Sequence, residues 1–162
     1  LTESPIDTMS LSVLNRQNCP QNGATIYLSV DGVGAAPIEA LRAVIQNEGR
    51  VMVAFDADKA GELMAWRLAH QLPRAERQLP EKGKDWNEQL IGKKEAAPHR
   101  QQLSIMWEWH SAALMACRSE KYLSRIREVA IAQVKGEALS ERAKAAMKQD
   151  LNKAKNEFSV CY

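Results

Sequence analysis

Cysteine is scarce in this chain. Cys19, Cys117 and Cys161 are the only three among 162 residues, too few and too scattered for a disulfide framework, and no two have the CxxC spacing of a thiolate metal site. A reducing compartment, and hence a cytoplasmic location, is the expectation. No apolar run approaches the roughly 18 residues of a membrane helix, and the amino end lacks the charged-then-apolar order of a signal peptide. No membrane association is therefore read. The histidines His70, His99 and His110 share no metal-ligand spacing. Neither GxGxxG nor GxxxxGKS/T occurs, which argues against a plain nucleotide-binding domain built on either loop. The chain also opens on Leu1 rather than Met, which suggests a fragment or a processed product.

Net charge is small as well, at +2, but it is unevenly spread. Residues 1–92 hold 9 Lys/Arg against 12 Asp/Glu, and residues 93–162 hold 13 against 8. An acidic first part beside a basic second part is compatible with a polyanionic partner, although mixed-charge helices are commonly just solvated. With 45% hydrophobic residues the chain has enough apolar material for a core, and its length fits one domain with an appendage.

The most informative stretch is RVMVAFDADKAG, Arg50 to Gly61. Val51 to Phe55 is apolar throughout, as in a strand buried on both faces. It runs into Asp56-Ala57-Asp58, and a helical pattern with Leu63, Met64, Trp66 and Leu68 follows over residues 60–72. Two acids one residue apart at a strand end project to the same side of extended backbone, a geometry that suits a divalent cation. The same two acids would equally cap the following helix.

Strand and helix alternate on both sides of this stretch. Ser4-Pro5 predicts a helix start, with Ser4 as cap and Pro5 at the first position, and Ile6, Met9, Leu11 and Leu14 predict its apolar side. Thr25 to Val30 reads as a strand that ends at the glycine loop Asp31 to Gly34. Pro37 opens a helix with Ile38, Leu41, Val44 and Ile45, which Gly49 ends as a left-handed cap. Arg74 to Leu79 reads as a further strand. This alternation predicts a mostly parallel α/β sheet of about four strands over residues 1–92, with Leu1-Thr2-Glu3 as the short end of its first strand. From residue 93 the pattern is helical only, two or three helices with apolar stripes on Leu103 to Cys117, Tyr122 to Val134 and Leu139 to Phe158.

LTESPIDTMSL, VMVAFDADKAG and KDWNEQL together resemble the Toprim domain, the Rossmann-like catalytic module of bacterial-type DNA primases, type IA and type II topoisomerases and certain nucleases and repair proteins. "ESPID" and "KDWNE" look most like the Toprim-like domains of plasmid and mobile-element proteins, either primase-like or attached to mobilisation relaxases. The resemblance covers about residues 1–92 and gives no account of the helical tail. Its pattern places Glu3 after the first strand, Gly32 or Gly34 after the second, and Asp56, Asp58 and Gly61 after the third.

What the resemblance implies is phosphoryl transfer on DNA, single-stranded or nicked, inside a larger parent protein concerned with DNA replication or plasmid mobilisation. Asp56 and Asp58 would hold Mg2+, or Mn2+, and Glu3 would be the catalytic acid/base or a further metal ligand. Asp85 would support the cluster or simply cap the helix after it. Gly32 and Gly61 would shape the turns, and Lys59 and Lys84 would reach phosphates. A nucleotidyltransferase activity is one form this chemistry takes; a DNA-binding or assembly module that keeps the fold without catalysis is the alternative. Trp66 and Trp86 read as packing anchors and His110 as a core histidine. In the tail, Arg118, Lys121, Arg125 and Arg127 are candidates for a basic face on DNA.

Overall fold

The computed structural model describes residues 1–18, 24–30, 36–92, 100–115 and 120–136, with positions 145 and 149. Gly32, Gly34, Arg118, the three cysteines and the stripe from Leu139 to Phe158 lie outside the described residues. Two compact units, Leu1–Arg100 and Gln101–Tyr162, are taken one at a time.

The first unit is built around the predicted buried strand. Val51, Val53, Ala54 and Phe55 are all buried, and the regular strand β1, Met52–Val53, pairs in parallel with β2, Glu76–Arg77. Glu76 N donates to Val51 O and Gln78 N to Val53 O, which extends that ladder by one step at each end. On the other side of β1, the Leu1 amine donates to Met52 O at 2.8 Å and Ala54 N donates to Leu1 O at 2.7 Å. Thr2 in turn bridges Ser29 in parallel, with Thr2 N on Leu28 O and Thr2 O accepting from Val30 N. The expected four-strand sheet is thus met in part: two regular strands, with two further segments joined to them by hydrogen bonds. Among the described residues of this unit, helices outweigh the regular strands.

Helix α1, Pro5–Asn18, begins as Ser4-Pro5 predicts. Ser4 Oγ accepts from Asp7 N at 3.1 Å and donates to Asp7 Oδ2 at 2.5 Å, satisfying the first turn. Its inward face differs from the expectation. Asp7, Ser10 and Leu11 are buried, and Leu14 and Tyr27 pack against the cluster of Leu11, Ala54 and Trp86, whereas Ile6 and Met9 are 57% and 62% exposed. The 3.6-residue period allows one stripe inward, and Asp7 occupies it.

Helix α2, Ile38–Gln46, has Pro37 at its N-cap position without a side-chain capping bond and buries Leu41. The left-handed residue after it is Glu48, at φ 62°, and not Gly49 as expected. Glycine is required at 49 for space: a Cβ there would lie 2.6 Å from Val44 Cγ1. Helix α3, Lys59–Gln71, buries Met64, Ala65, Trp66, Leu68 and Ala69. The short α4, Trp86–Leu90, packs against α1, and Trp86 donates its indole N–H to Ala54 O at 2.6 Å. Both tryptophans are packing anchors, as read from the sequence.

The second unit contains α5, Arg100–Met115, and α6, Glu120–Lys135. His110 is buried, with Trp107 edge-on to its ring, and Arg127 Nη1 lies 3.4 Å from His110 Nε2. Arg127 also pairs with Glu120. A guanidinium held that way is withdrawn from any surface face, which corrects its place among the candidate basic residues; Lys121 and Arg125 remain exposed on α6. Among the described residues no helix is long and apolar enough to cross a membrane.

Candidate functional site: carboxylates at the strand ends

Backbone geometry brings four predicted acids, Glu3, Asp56, Asp58 and Asp85, to one place. Leu1 and Thr2 lock the amino end beside β1, so Glu3 emerges next to the turn that follows Phe55. Its Oε1 accepts from Asp56 N at 3.1 Å, a contact across 53 residues of sequence. Asp85 arrives from the far end of the unit. Lys84 O accepts from Ala57 N at 2.6 Å, tying the KDWNE turn to the middle of Asp56-Ala57-Asp58.

Two of the acids also have the capping role that the sequence left open. Asp58 accepts from Ala60 N and Gly61 N, both at 2.9 Å, and caps α3. Asp85 accepts from Glu88 N at 2.7 Å and caps α4. Each uses one carboxylate oxygen for those bonds, Oδ1 in both cases. Asp56 is different: its Oδ1 is buried and has no hydrogen-bond partner. Such an oxygen is costly to bury as an anion unless a cation or a proton meets it.

The electrostatics agree with that cost. Burial pushes the Asp56 carboxyl up from 3.8 to about 7, and the negative charges of Glu3, Asp7, Asp85 and Asp58 push in the same direction. Glu3 is also raised, first by burial and then by Asp58, against the opposing hydrogen bond from the Asp56 amide. Among the described residues no three His, Cys, Asp or Glu side chains are grouped so as to hold a metal ion as they stand. The orphaned oxygen and the mutually repelling carboxylates fit a hard divalent cation with oxygen ligands.

Gly61 has a definite reason to be glycine. A Cβ at this position would sit 2.3 Å from Asp56 O and 2.6 Å from Glu3 Oε1. Gly61→Ala gains up to about 1 kcal/mol of helix propensity but incurs about 1–3 kcal/mol of overpacking against backbone that cannot swing aside. A net loss of about 1 kcal/mol, and at most about 2–3, is expected in urea denaturation, and a higher midpoint would show that the turn yields. Lys59 is exposed at the first position of α3, and Lys84 is exposed with its Nζ 3.8 Å from Asp85 Oδ2.

Sequence reasoning missed three participants. Asp7 is buried, and its Oδ1 accepts from Asn87 N at 3.3 Å, joining the start of α1 to the start of α4. Its signal was present in Glu3-Ser-Pro-Ile-Asp7, which places the second acid in the helix's first turn. Glu62 and Arg77 form a buried ion pair beneath the turn, at 2.7 Å. Nothing local marks those two as partners.

Carboxylates gathered just past the carboxyl end of a buried parallel strand define the general class of this site. The family model for Toprim-like domains matches residues 1–90, and the chain belongs to that family. Membership implies a nucleic-acid enzyme module, and Toprim domains generally bind Mg2+. Comparison with curated proteins and with solved structures gives no match.

Proposed function

We propose that residues 1–92 form a Mg2+-dependent phosphoryl-transfer module that acts on DNA within a larger primase-like or mobilisation protein, and that residues 93–162 are a helical extension to it. The observation that carries this reading is the meeting of Glu3 with Asp56 beside a buried, unpartnered carboxylate oxygen. The segments at 24–30, 1–3, 52–53 and 76–77, hydrogen-bonded side by side in that order, are read as the four-strand Toprim sheet in abbreviated form.

In this reading Asp56 and Asp58 hold the metal, which when bound neutralises phosphate charge and supplies displaceable waters. Glu3 handles the proton at the attacking or leaving oxygen, and burial raises its pKa above the ordinary carboxylate value, which favours the protonated form. Asp7 and Asp85 hold the starts of α1 and α4 around the cluster and add negative field. Lys59 and Lys84, exposed beside the two acid turns, would meet DNA phosphates in this reading.

The test is turnover by the full parent protein on single-stranded and nicked DNA. Cleavage, rejoining or primer synthesis is expected to vanish with EDTA and to return with excess Mg2+ or Mn2+. DNA binding that survives EDTA with no metal-dependent turnover on either substrate would support the non-catalytic alternative instead.

A further inference from the structure

Below the acidic turn, Arg77 is tied to more backbone than an ion pair requires. Its Nε donates to Glu62 Oε1 at 2.8 Å, and Nη2 lies 2.7 Å from the same oxygen. Nη1 donates to Phe55 O at 2.7 Å, Gln78 O at 2.9 Å and Val53 O at 3.1 Å, and Nη2 donates to Asp56 O at 2.8 Å. Both side chains are only 1% exposed.

The reason lies in the shortness of the sheet. The ladder between β1 and β2 ends with Gln78 N on Val53 O, yet Phe55 continues the buried run and Asp56 follows directly. The carbonyls of Phe55 and Asp56 need donors, and among the described residues no neighbouring strand supplies them. The planar guanidinium provides them, and Glu62 holds it in place from α3. Asp56 O is thereby gripped from two sides, by Arg77 and by the close approach of Gly61. The direction of the Asp56 carboxylate follows from this backbone.

The geometry points to Arg77 as a positioning residue for the metal-binding turn, with Glu62 as its anchor; the inference rests on Asp56 being a metal ligand. A lysine at position 77 keeps the charge, but one nitrogen cannot span carbonyls at four residues, so the exchange is not conservative here. Supporting residues of this kind change metal affinity by about 10–100-fold when altered.

The experiment is Mn2+ titration of the full chain, followed by calorimetry, for the unaltered protein and for Arg77→Lys, with circular dichroism to establish that each is folded. The expected result is Mn2+ binding at least about tenfold weaker in folded Arg77→Lys, with faster amide exchange at Asp56 and Ala57. Folded Arg77→Lys that binds Mn2+ within about threefold of the unaltered chain, with unchanged exchange in the turn, overturns the assignment. If Arg77→Lys does not fold, the unaltered chain decides by NMR. The Arg77 Nε–Hε signal should shift during Mg2+ titration with the same midpoint as the Asp56 and Ala57 amides, and a signal that stays fixed at saturation overturns the assignment. An unaltered chain that binds neither ion contradicts the metal reading itself, a result separate from either Arg77 outcome.

Discussion

Asp56→Asn is expected to lower metal-dependent turnover by about 100-fold or more while making the metal-free protein more stable at neutral pH. Residues that merely support a metal ligand cost about 10–100-fold when changed, and loss of a ligand itself should cost no less. The stability gain has the opposite sign because Asp56 is an unfavourable anion in the absence of a cation. Its carboxyl rises from 3.8 to about 7 on folding, so between those values the native state keeps a proton that the unfolded chain has lost. Stability of the metal-free chain therefore falls as pH rises from about 4 to about 7, and levels off above that. Asparagine cannot ionise, so this contribution to the slope disappears. Glu3, raised in the same direction, leaves a residual slope. Urea midpoints in EDTA at pH 5 and pH 8 check this: the difference should be smaller in Asp56→Asn. Equal differences in the two proteins would show that Asp56 ionises without strain.

The largest stability loss is expected at Glu62. Glu62→Ala leaves the Arg77 guanidinium buried without its carboxylate, and breaking a buried pair from one side costs about 3–5 kcal/mol. Replacing both partners, Glu62→Leu with Arg77→Met, removes the isolated charge and should recover part of that loss. Recovery stays incomplete, since the carbonyls of Phe55 and Asp56 then lack the Arg77 donors, at about 1–3 kcal/mol for a buried polar group left unsatisfied. Chemical denaturation of the single and double variants measures both quantities. A Glu62→Ala protein within about 1 kcal/mol of the original would mean that the carbonyls alone satisfy Arg77.

These two residues also show where the sequence is silent. Val51 to Phe55 followed by two acids was legible because its pattern is local: an unbroken apolar run has to be buried, and a carboxylate at a helix start has to cap or bind. Ser4-Pro5 was legible for the same reason, and both caps form. The pairing of Glu62 with Arg77 depends on a helix crossing a strand end 15 residues later, which no local period encodes. Asp7 was hidden behind Ile6 and Met9, because an apolar stripe is the usual inward face and here the carboxylate takes that position. Arg127 was misplaced on the outside because a charged residue near other cations reads as surface, while His110 and Glu120 draw it inward. The sheet was expected at about four strands and its regular part is two, since register and ladder length depend on tertiary reach rather than on composition. Glu3 lies beside Asp56 although their separation in the chain gave no local signal, and only the ordered family pattern pointed to the two together.

The central claim is that Asp56, Asp58 and Glu3 form one divalent-cation site. Equilibrium titration of the chain with Mn2+ tests it most directly, read by electron paramagnetic resonance of the free ion. The claim predicts a saturable site in the unaltered protein that is lost in Asp56→Asn and weakened in Glu3→Gln. Absence of saturable binding in the unaltered protein, or binding that Asp56→Asn leaves intact, would contradict it.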